Sequence, residues 1–319
     1  MKKDSAISSL AVVAAIVIIF AIAVLPCAQA QQIAGPNRPS EVPEGYVITP
    51  FGYFHPSCVR GVASGDTVMA DGRVDHQDGA VDAQVPVCSY PHYTARGEMV
   101  TAGAEPPTIG HSWIEDGATT TTSSYGKLTA TWPVPSAPTT DHKQTVYLFP
   151  GLVDLQTDAT IIQPVLGWNA FFGKVWSIAS WNCCPQGTAN YSTPVQVNAG
   201  DTIYGLIKFT CKAGAQSCAT WNITTTDKTT KQKTILKKTP SEDQTFNWAQ
   251  SGALEVYEIV QCSDYPPENA TTFSKVALFD YNLKKIANPG WAFTDYYDGL
   301  DPQCNYGGQI STTRTTLNY

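Results

Sequence analysis

The sequence predicts an all-β protein, an antiparallel two-sheet β-sandwich or jelly roll preceded by a loop-rich N-terminal lobe. From about His111 onward, short runs of Thr, Val, Ile and aromatic residues follow one another, punctuated by Gly, Pro, Asn and Asp, the pattern of many short strands joined by turns. No segment of ordinary helix length carries an apolar stripe at helical spacing. The run count and length are ample to close one core between two sheets.

Residues 1–30 read as a targeting segment. Lys2 and Lys3 precede an unbroken apolar run from Leu10 to Leu25, followed by Pro26 and Ala28-Gln29-Ala30. Positive, apolar and then small residues is the order of a secretory signal cut before Gln31. The run falls just short of the roughly 20 residues of a spanning helix. A secreted, extracellular chain is therefore expected, with an uncleaved N-terminal membrane anchor as the alternative and no membrane contact after cleavage.

Residues 31–107 are rich in Gly, Pro, Asp and Ala, with aromatic clusters such as FGYFHPSC. They lack sustained periodicity and are expected to form a disulfide-held lobe, a propeptide, a packing arm or a small recognition module. The acidic stretch Asp71 to Asp82 lacks the ligand spacing of a calcium loop and reads as a solvated turn. Residues 108–319 hold the sandwich. Its strands are seen in SSYGKLTATWPVP, QTVYLFPGL, ATIIQPVLGW, KVWSIASW, PVQVNAGDTIYGLIKFT, TWNITTTD, QKTILKK and ALEVYEIVQC. Asn198 to Asp201 and Thr226 to Lys228 look like hairpin connections. The lysines between Lys228 and Lys238 suit a solvated strand edge that resists further pairing.

Of nine cysteines, Cys27 leaves with the signal, and an even set remains: Cys58, Cys88, Cys183, Cys184, Cys211, Cys218, Cys262 and Cys304. In an exported chain this argues for disulfides. Proximity suggests Cys58–Cys88 and Cys211–Cys218, leaving Cys183 and Cys184 to pair with Cys262 and Cys304 in some order. Zinc is a poor competitor, since there is no C-x-x-C and no His at ligand spacing from these cysteines. Sequons at Asn190, Asn222 and Asn269 would make the chain a glycoprotein in a host that uses them. Charged residues make up 15 % of the chain, and leaving out Lys2, Lys3 and Asp4 takes the net charge from −7 to −8. Such a surface has no basic face for phosphates, which excludes nucleic acid as an expected partner.

Two polar residues stand inside apolar strands: Gln163 in TIIQPVLGW and Glu255 in SGALEVYEIVQC. An unpaired buried polar group costs about 1–3 kcal/mol, so such residues are either satisfied, solvent-facing or functional. Strand alternation puts Glu255, Tyr257 and Ile259 on one face, and Ile161, Gln163 and Val165 on one face. If the two faces are the same, a carboxylate that handles water meets an amide that holds an oxyanion. No G-x-S-x-G, H-E-x-x-H or P-loop is present. All five histidines (His55, His76, His92, His111 and His142) precede the strand-rich core's second half, so no Ser/His/Asp set emerges.

The order of motifs resembles the eqolisins, secreted glutamic peptidases built on a concanavalin-like β-sandwich with a catalytic Gln–Glu dyad. The resemblance runs from Trp113 to Tyr281 through TATWPVP, FPGLV, IIQPVLGW, NAGDTIYG, TWNITTTDKTTKQKT and ALEVYE, with Trp168 at the family's offset from the glutamine. It implies Gln163 as the catalytic glutamine and Glu255 as the catalytic glutamate. The chain departs from the family at Phe149 (Trp there), at Val153 (Asp there, with Asp154 displaced by one), at Leu254 (Ala there) and at Glu258, where the second Glu falls one position early.

The resemblance implies an acid-acting endopeptidase on polypeptide substrates, needing no metal or cofactor. Glu255 would serve as general base and Gln163 as oxyanion donor, the latter worth about 3–4 kcal/mol. Trp168, Tyr257 and Trp113 are the substrate-cleft candidates. The alternative is a catalytically silent jelly-roll module binding glycan or cell-wall polymer, with Trp113, Trp132, Trp176 and Trp181 as stacking platforms.

Overall fold

The computed structural model describes residues 31–82, 87–100, 113–154, 160–241 and 245–319. The expected signal, and the expected lobe boundary at 107/108, lie outside them. Among the described residues no helix is long and apolar enough to cross a membrane, and helical structure is limited to short 3-10 turns.

Seven short strands form the lobe: β1 (Val47–Thr49), β2 (Gly52–Phe54), β3 (Val59–Val62), β4 (Thr67–Val68), β5 (Val74–Asp75), β6 (His92–Tyr93) and β7 (Met99–Val100). The sandwich follows with β8 (Trp113–Thr120), β9 (Tyr125–Pro133), β10 (Thr145–Val153), β11 (Ile161–Trp168), β12 (Trp176–Cys183), β13 (Ala189–Ser192), β14 (Val195–Val197) and β15 (Thr202–Phe209). It ends with β16 (Thr220–Asp227), β17 (Lys233–Pro240), β18 (Trp248–Tyr257), β19 (Ala270–Asp280), β20 (Ala292–Asp295), β21 (Gly307–Ser311) and β22 (Arg314–Asn318).

Two large sheets stack face to face, as the alternating runs predict. One runs β20-β8-β18-β10-β11-β12-β13-β3, with β14 also on β12; the other runs β21-β22-β19-β9-β15-β16-β17-β4-β5. Between them Val146, Leu148, Leu152, Ile162, Leu166, Ile178 and Leu254 meet Leu128, Trp132, Ile207, Ile223, Leu236, Phe273 and Leu278. Every second residue of β10, β11 and β18 is thereby committed to this core, and the residues between face the other way.

That outer face of the first sheet is covered by the lobe. A second apolar cluster joins Val47, Ile48, Tyr53, Phe54 and Tyr93 of the lobe to Tyr147, Phe149, Val153, Val165, Trp181, Ala253 and Tyr257 of the sheet. The lobe is also stitched into both sheets rather than standing apart as a loop-rich unit. β3 pairs in parallel with β13, and β4 with β17 at Lys237. The lysine-rich β17 thus lies near a sheet edge, paired on its outer side only at that point.

The four disulfides are Cys58–Cys88, Cys211–Cys218, Cys262–Cys304 and Cys183–Cys184. The first two are the expected ones. The expected crossing of Cys183 and Cys184 with Cys262 and Cys304 is corrected, and the sheet register explains why. Cys183 pairs with Ile161, which is level with Val153 and Trp248, the start of β18, whereas Cys262 follows the opposite end of that strand. Asn190 is buried at 2 % exposure and its amide donates to the Thr188 carbonyl, which removes it as a glycan acceptor in this fold. Asn269 is exposed.

Candidate functional site

Gln163 and Glu255 lie on the same face of the same sheet, the one under the lobe, but the register holds them apart. The pairing of Leu152 with Ile162 sets Gln163 beside Gly151, while Glu255 pairs with Tyr147. Tyr147 and Gly151 are four residues apart along β10, about 13 Å at the rise of a strand, and β11 and β18 flank β10 at a separation of about 10 Å. Between the two levels stand Phe149, Ala253 and Val165, all closed to solvent. One bridging water does not span this gap. The expected Gln163–Glu255 pair is therefore not assembled.

Glu255 has its own surroundings. It is fully buried, accepts a short hydrogen bond from the Tyr257 hydroxyl, and leaves Oε2 without a partner. Burial pushes its carboxyl well above the usual range, against the lowering effect of Tyr257, because loss of water disfavours the charged form. The lobe's Tyr53 ring packs edge-on to Tyr257 at 5.2 Å, and the Tyr147 hydroxyl shares Ile48 and Gln31 of the lobe.

Gln163 meets a different partner set, one the sequence reading missed. Gln250 of β18 and Asp116 of β8 stand on the same outer face, and the Gln250 amide Nε2 donates to Asp116 Oδ2 at 2.7 Å. Gln163 and Gln250 converge over Gly151. A Cβ built there would lie 2.8 Å from Gln250 Oε1 and 3.5 Å, an ordinary van der Waals contact, from Gln163 Cγ, so a side chain at this position would crowd the end of Gln250. Pro164 restricts Gln163 to extended backbone, which fixes the side chain on this face.

A β-bulge makes the arrangement possible. Gln250 and Glu255 are an odd number of residues apart and would face opposite ways in a regular strand. The pairing of β18 shifts by one residue between Gln250 and Gly252, so Ser251 and Gly252 both point inward. Ser251 Oγ donates to the Gly117 carbonyl, and a Cβ on Gly252 would lie 2.2 Å from the Phe273 ring. The only sequence signal of this was a glycine inside a strand run.

Asp116, Gln250 and Gln163 are all at 0 % exposure. Yet among the described residues Asp116 Oδ1, Gln250 Oε1 and both amide atoms of Gln163 have no hydrogen-bond partner. Burial pushes the Asp116 carboxyl up to about 7, partly offset by the Gln250 hydrogen bond. Beside it on β8, burial raises Glu115 to about 8, although Glu115 Oε2 accepts from Gly307 N at 2.8 Å. Aromatic rings wall the row. Trp181 pairs with Gln163 and carries Phe51 of the lobe at 6.0 Å, while Trp113 packs on Trp248 at 5.1 Å and beside Tyr296.

The cleft candidates separate. Trp168 points into the inter-sheet core, against Trp176 at 5.6 Å, on the opposite face from Gln163; its place there is set by strand parity. Tyr257 serves Glu255. Trp113 lines a cavity of about 170 Å³ between lobe and sandwich, together with Tyr53, Arg96 and Glu258. Glu258 accepts from Gly35 N of the lobe at 2.7 Å, and burial raises its carboxyl. The proposed stacking platforms Trp132, Trp176 and Trp181 are buried at 3 % exposure or less, so none offers a ring face to a glycan. Among the described residues no cluster of three or more His, Cys, Asp or Glu is placed to hold a metal ion.

No family model and no curated protein matches the chain. Solved structures do. A scytalido-glutamic peptidase with a transition state analog inhibitor is 15 % identical, over 65 % of this chain and 98 % of that one, with a TM-score of 0.49. SCP-B, a member of the eqolisin family in a complex with the tripeptide Ala-Ile-His, is 17 % identical over the same shares, with a TM-score of 0.47. The aspergilloglutamic peptidase from Aspergillus niger is 14 % identical over 55 % of this chain and 98 % of that one, with a TM-score of 0.36.

Proposed function

We propose that the chain is an exported endopeptidase whose hydrolytic site lies on the outer face of the first sheet, with the Gln163 amide holding the oxyanion. The observation that carries this is the row of unpartnered polar atoms on Gln163, Gln250 and Asp116, buried in an aromatic-walled face. Each such atom costs about 1–3 kcal/mol of desolvation. Several such groups gathered on one face point to a ligand or a reaction. A carboxyl and two carboxamides are the groups needed to activate a water and hold the developing oxyanion of a peptide carbonyl. The motif order from Trp113 to Tyr281 supports the same reading, and so does the burial of the tryptophans that a glycan-binding module would display.

The lobe is the cover of this site. It buries the face through Phe51, Tyr53 and their neighbours, so an extended polypeptide reaches the row only after the lobe is displaced, as a propeptide would be. Incubation of the exported chain with denatured casein between pH 2 and 7, with and without limited cleavage of the lobe, tests the function. Fragments should accumulate, and Gln163→Ala should lower turnover by about 10²–10³, the usual effect of losing one oxyanion donor. Absence of hydrolysis across that range in both forms rejects the peptidase reading.

A further inference from the structure

We infer that Asp116, held by Gln250, is the carboxyl partner of Gln163 and the group that moves the proton in this site, an inference that rests on the peptidase reading above. Glu255 is the residue that the motif order nominates, but it is level with Tyr147, beyond the Phe149 row, and its Oε1 is already occupied by Tyr257. Asp116 and Gln163 stand on β8 and β11 with β18 and β10 between them, and Gln250 reaches from the first toward the second without a hydrogen bond to Gln163. Asp116 Oδ2 accepts from Gln250 Nε2, and Gln250 Oε1 reaches over Gly151, where Gln163 also arrives. Asp116 Oδ1 is buried and unpartnered. Gln250 cannot itself titrate, so it orients: its amide fixes the carboxylate, and its free carbonyl oxygen can accept one hydrogen of a water.

The proton balance closes with these groups alone. Ionised Asp116 takes a proton from water as the water oxygen bonds to the peptide carbonyl carbon. The carbonyl π pair moves onto its oxygen, which the Gln163 amide N–H stabilises. The C–N bond then breaks, and the proton on Asp116 passes to the departing amine. Peptide and water give a carboxylic acid and an amine, and Asp116 is regenerated.

The groups facing Asp116 are Gln250 from β18 and the Tyr296 phenol beyond β20, while Glu115, next to it on β8, points to the opposite face. None is a cation. The carboxyl is raised by loss of water, and displacement of the lobe returns water to the face. Uncovering the row therefore lowers the Asp116 pKa toward the ordinary carboxylate range and makes it a base at acid pH.

The test compares Asp116→Asn with Glu255→Gln in the full chain, each checked for native folding by circular dichroism and thermal melting. Hydrolysis of denatured casein and of a chromogenic peptide is read from pH 2 to 7. The inference expects Asp116→Asn to lose at least 10²-fold in kcat, Glu255→Gln to keep activity within a few-fold, and Asp116→Glu to restore part of it with a displaced acid limb. Loss of activity in Glu255→Gln with retention in Asp116→Asn overturns the inference and leaves the peptidase reading standing. An inactive parent chain in both covered and lobe-cleaved forms overturns both. A second readout is independent of turnover: the infrared band of a protonated, buried carboxyl at pH 5 should lose one component in Asp116→Asn, and an unchanged band also overturns the inference.

Discussion

Among the described residues the Tyr257 hydroxyl is the one hydrogen-bond donor to the buried Glu255 carboxyl, whose second oxygen has no partner there. At the scale of single residues, this makes Glu255 a structural acid. Tyr257→Phe should cost about 1–3 kcal/mol, the penalty for stranding a buried acceptor, read as a lower urea midpoint at unchanged slope. Glu255→Gln keeps the shape, adds its own amide donors and should be far milder. The sequence made Gln163 and Glu255 conspicuous because each is polar within an apolar run, and parity put each on its correct face. Asp116 and Gln250 were harder to see. Asp116 sits next to Glu115 at the start of a strand that has no alternation around it, and Gln250 is flanked by Ala249 and Ser251, which read as a weak, half-polar run.

At the scale of elements, the decisive feature is the bulge in β18. It places Gln250, Ala253, Glu255 and Tyr257 on one face, although the chain count between Gln250 and Glu255 is odd. Gly252→Ala would drive a methyl into the Phe273 ring. It should destabilise by about 1–3 kcal/mol, measured by thermal melting, and displace Gln250 with it. Gly151→Ala is the gentler probe. Its methyl would meet only the flexible end of Gln250, so it should leave the melting temperature nearly unchanged while lowering any hydrolysis. Strand existence was legible throughout because period-two patterns survive in β9, β15 and β16. The bulges were not, since a one-residue slip is set by what the strand meets across the sandwich.

For the whole molecule, the buried carboxyls dictate how stability changes with pH. Asp116 is raised to about 7 and Glu115 to about 8, both by burial. A carboxyl whose folded pKa lies above its unfolded value contributes stability in full below the unfolded pKa, near 4, and that contribution is lost as pH rises toward the folded value. His76, held by Asp82 and Asp66, has its pKa raised as well and acts in the same direction above pH 6. The fold should therefore be more stable at pH 4 than at pH 8. The Asp116 share is on the order of 4 kcal/mol as an upper figure, and Asp116→Asn should flatten the profile between pH 4 and 7. Urea titrations at stepped pH check this, and a stability maximum at pH 8 would contradict it. The two-sheet architecture was readable from the series of short runs. The lobe's entry into both sheets was not, because β3 and β4 are too short to show a pattern.

The parallel pairing of β3 with β13 has a consequence for the order of assembly. Val59–Val62 leaves the ribosome more than a hundred residues before Ala189–Ser192, its partner. Parallel pairing across so long a separation forms slowly, since loop closure precedes any reward. Most of the lobe is thus made first and docked late. On this order the first sheet closes around β10, β11 and β18 before the lobe covers its outer face. A newly made molecule would pass through an interval in which the row of Gln163, Gln250 and Asp116 is open to the surrounding medium, before the lobe shuts it.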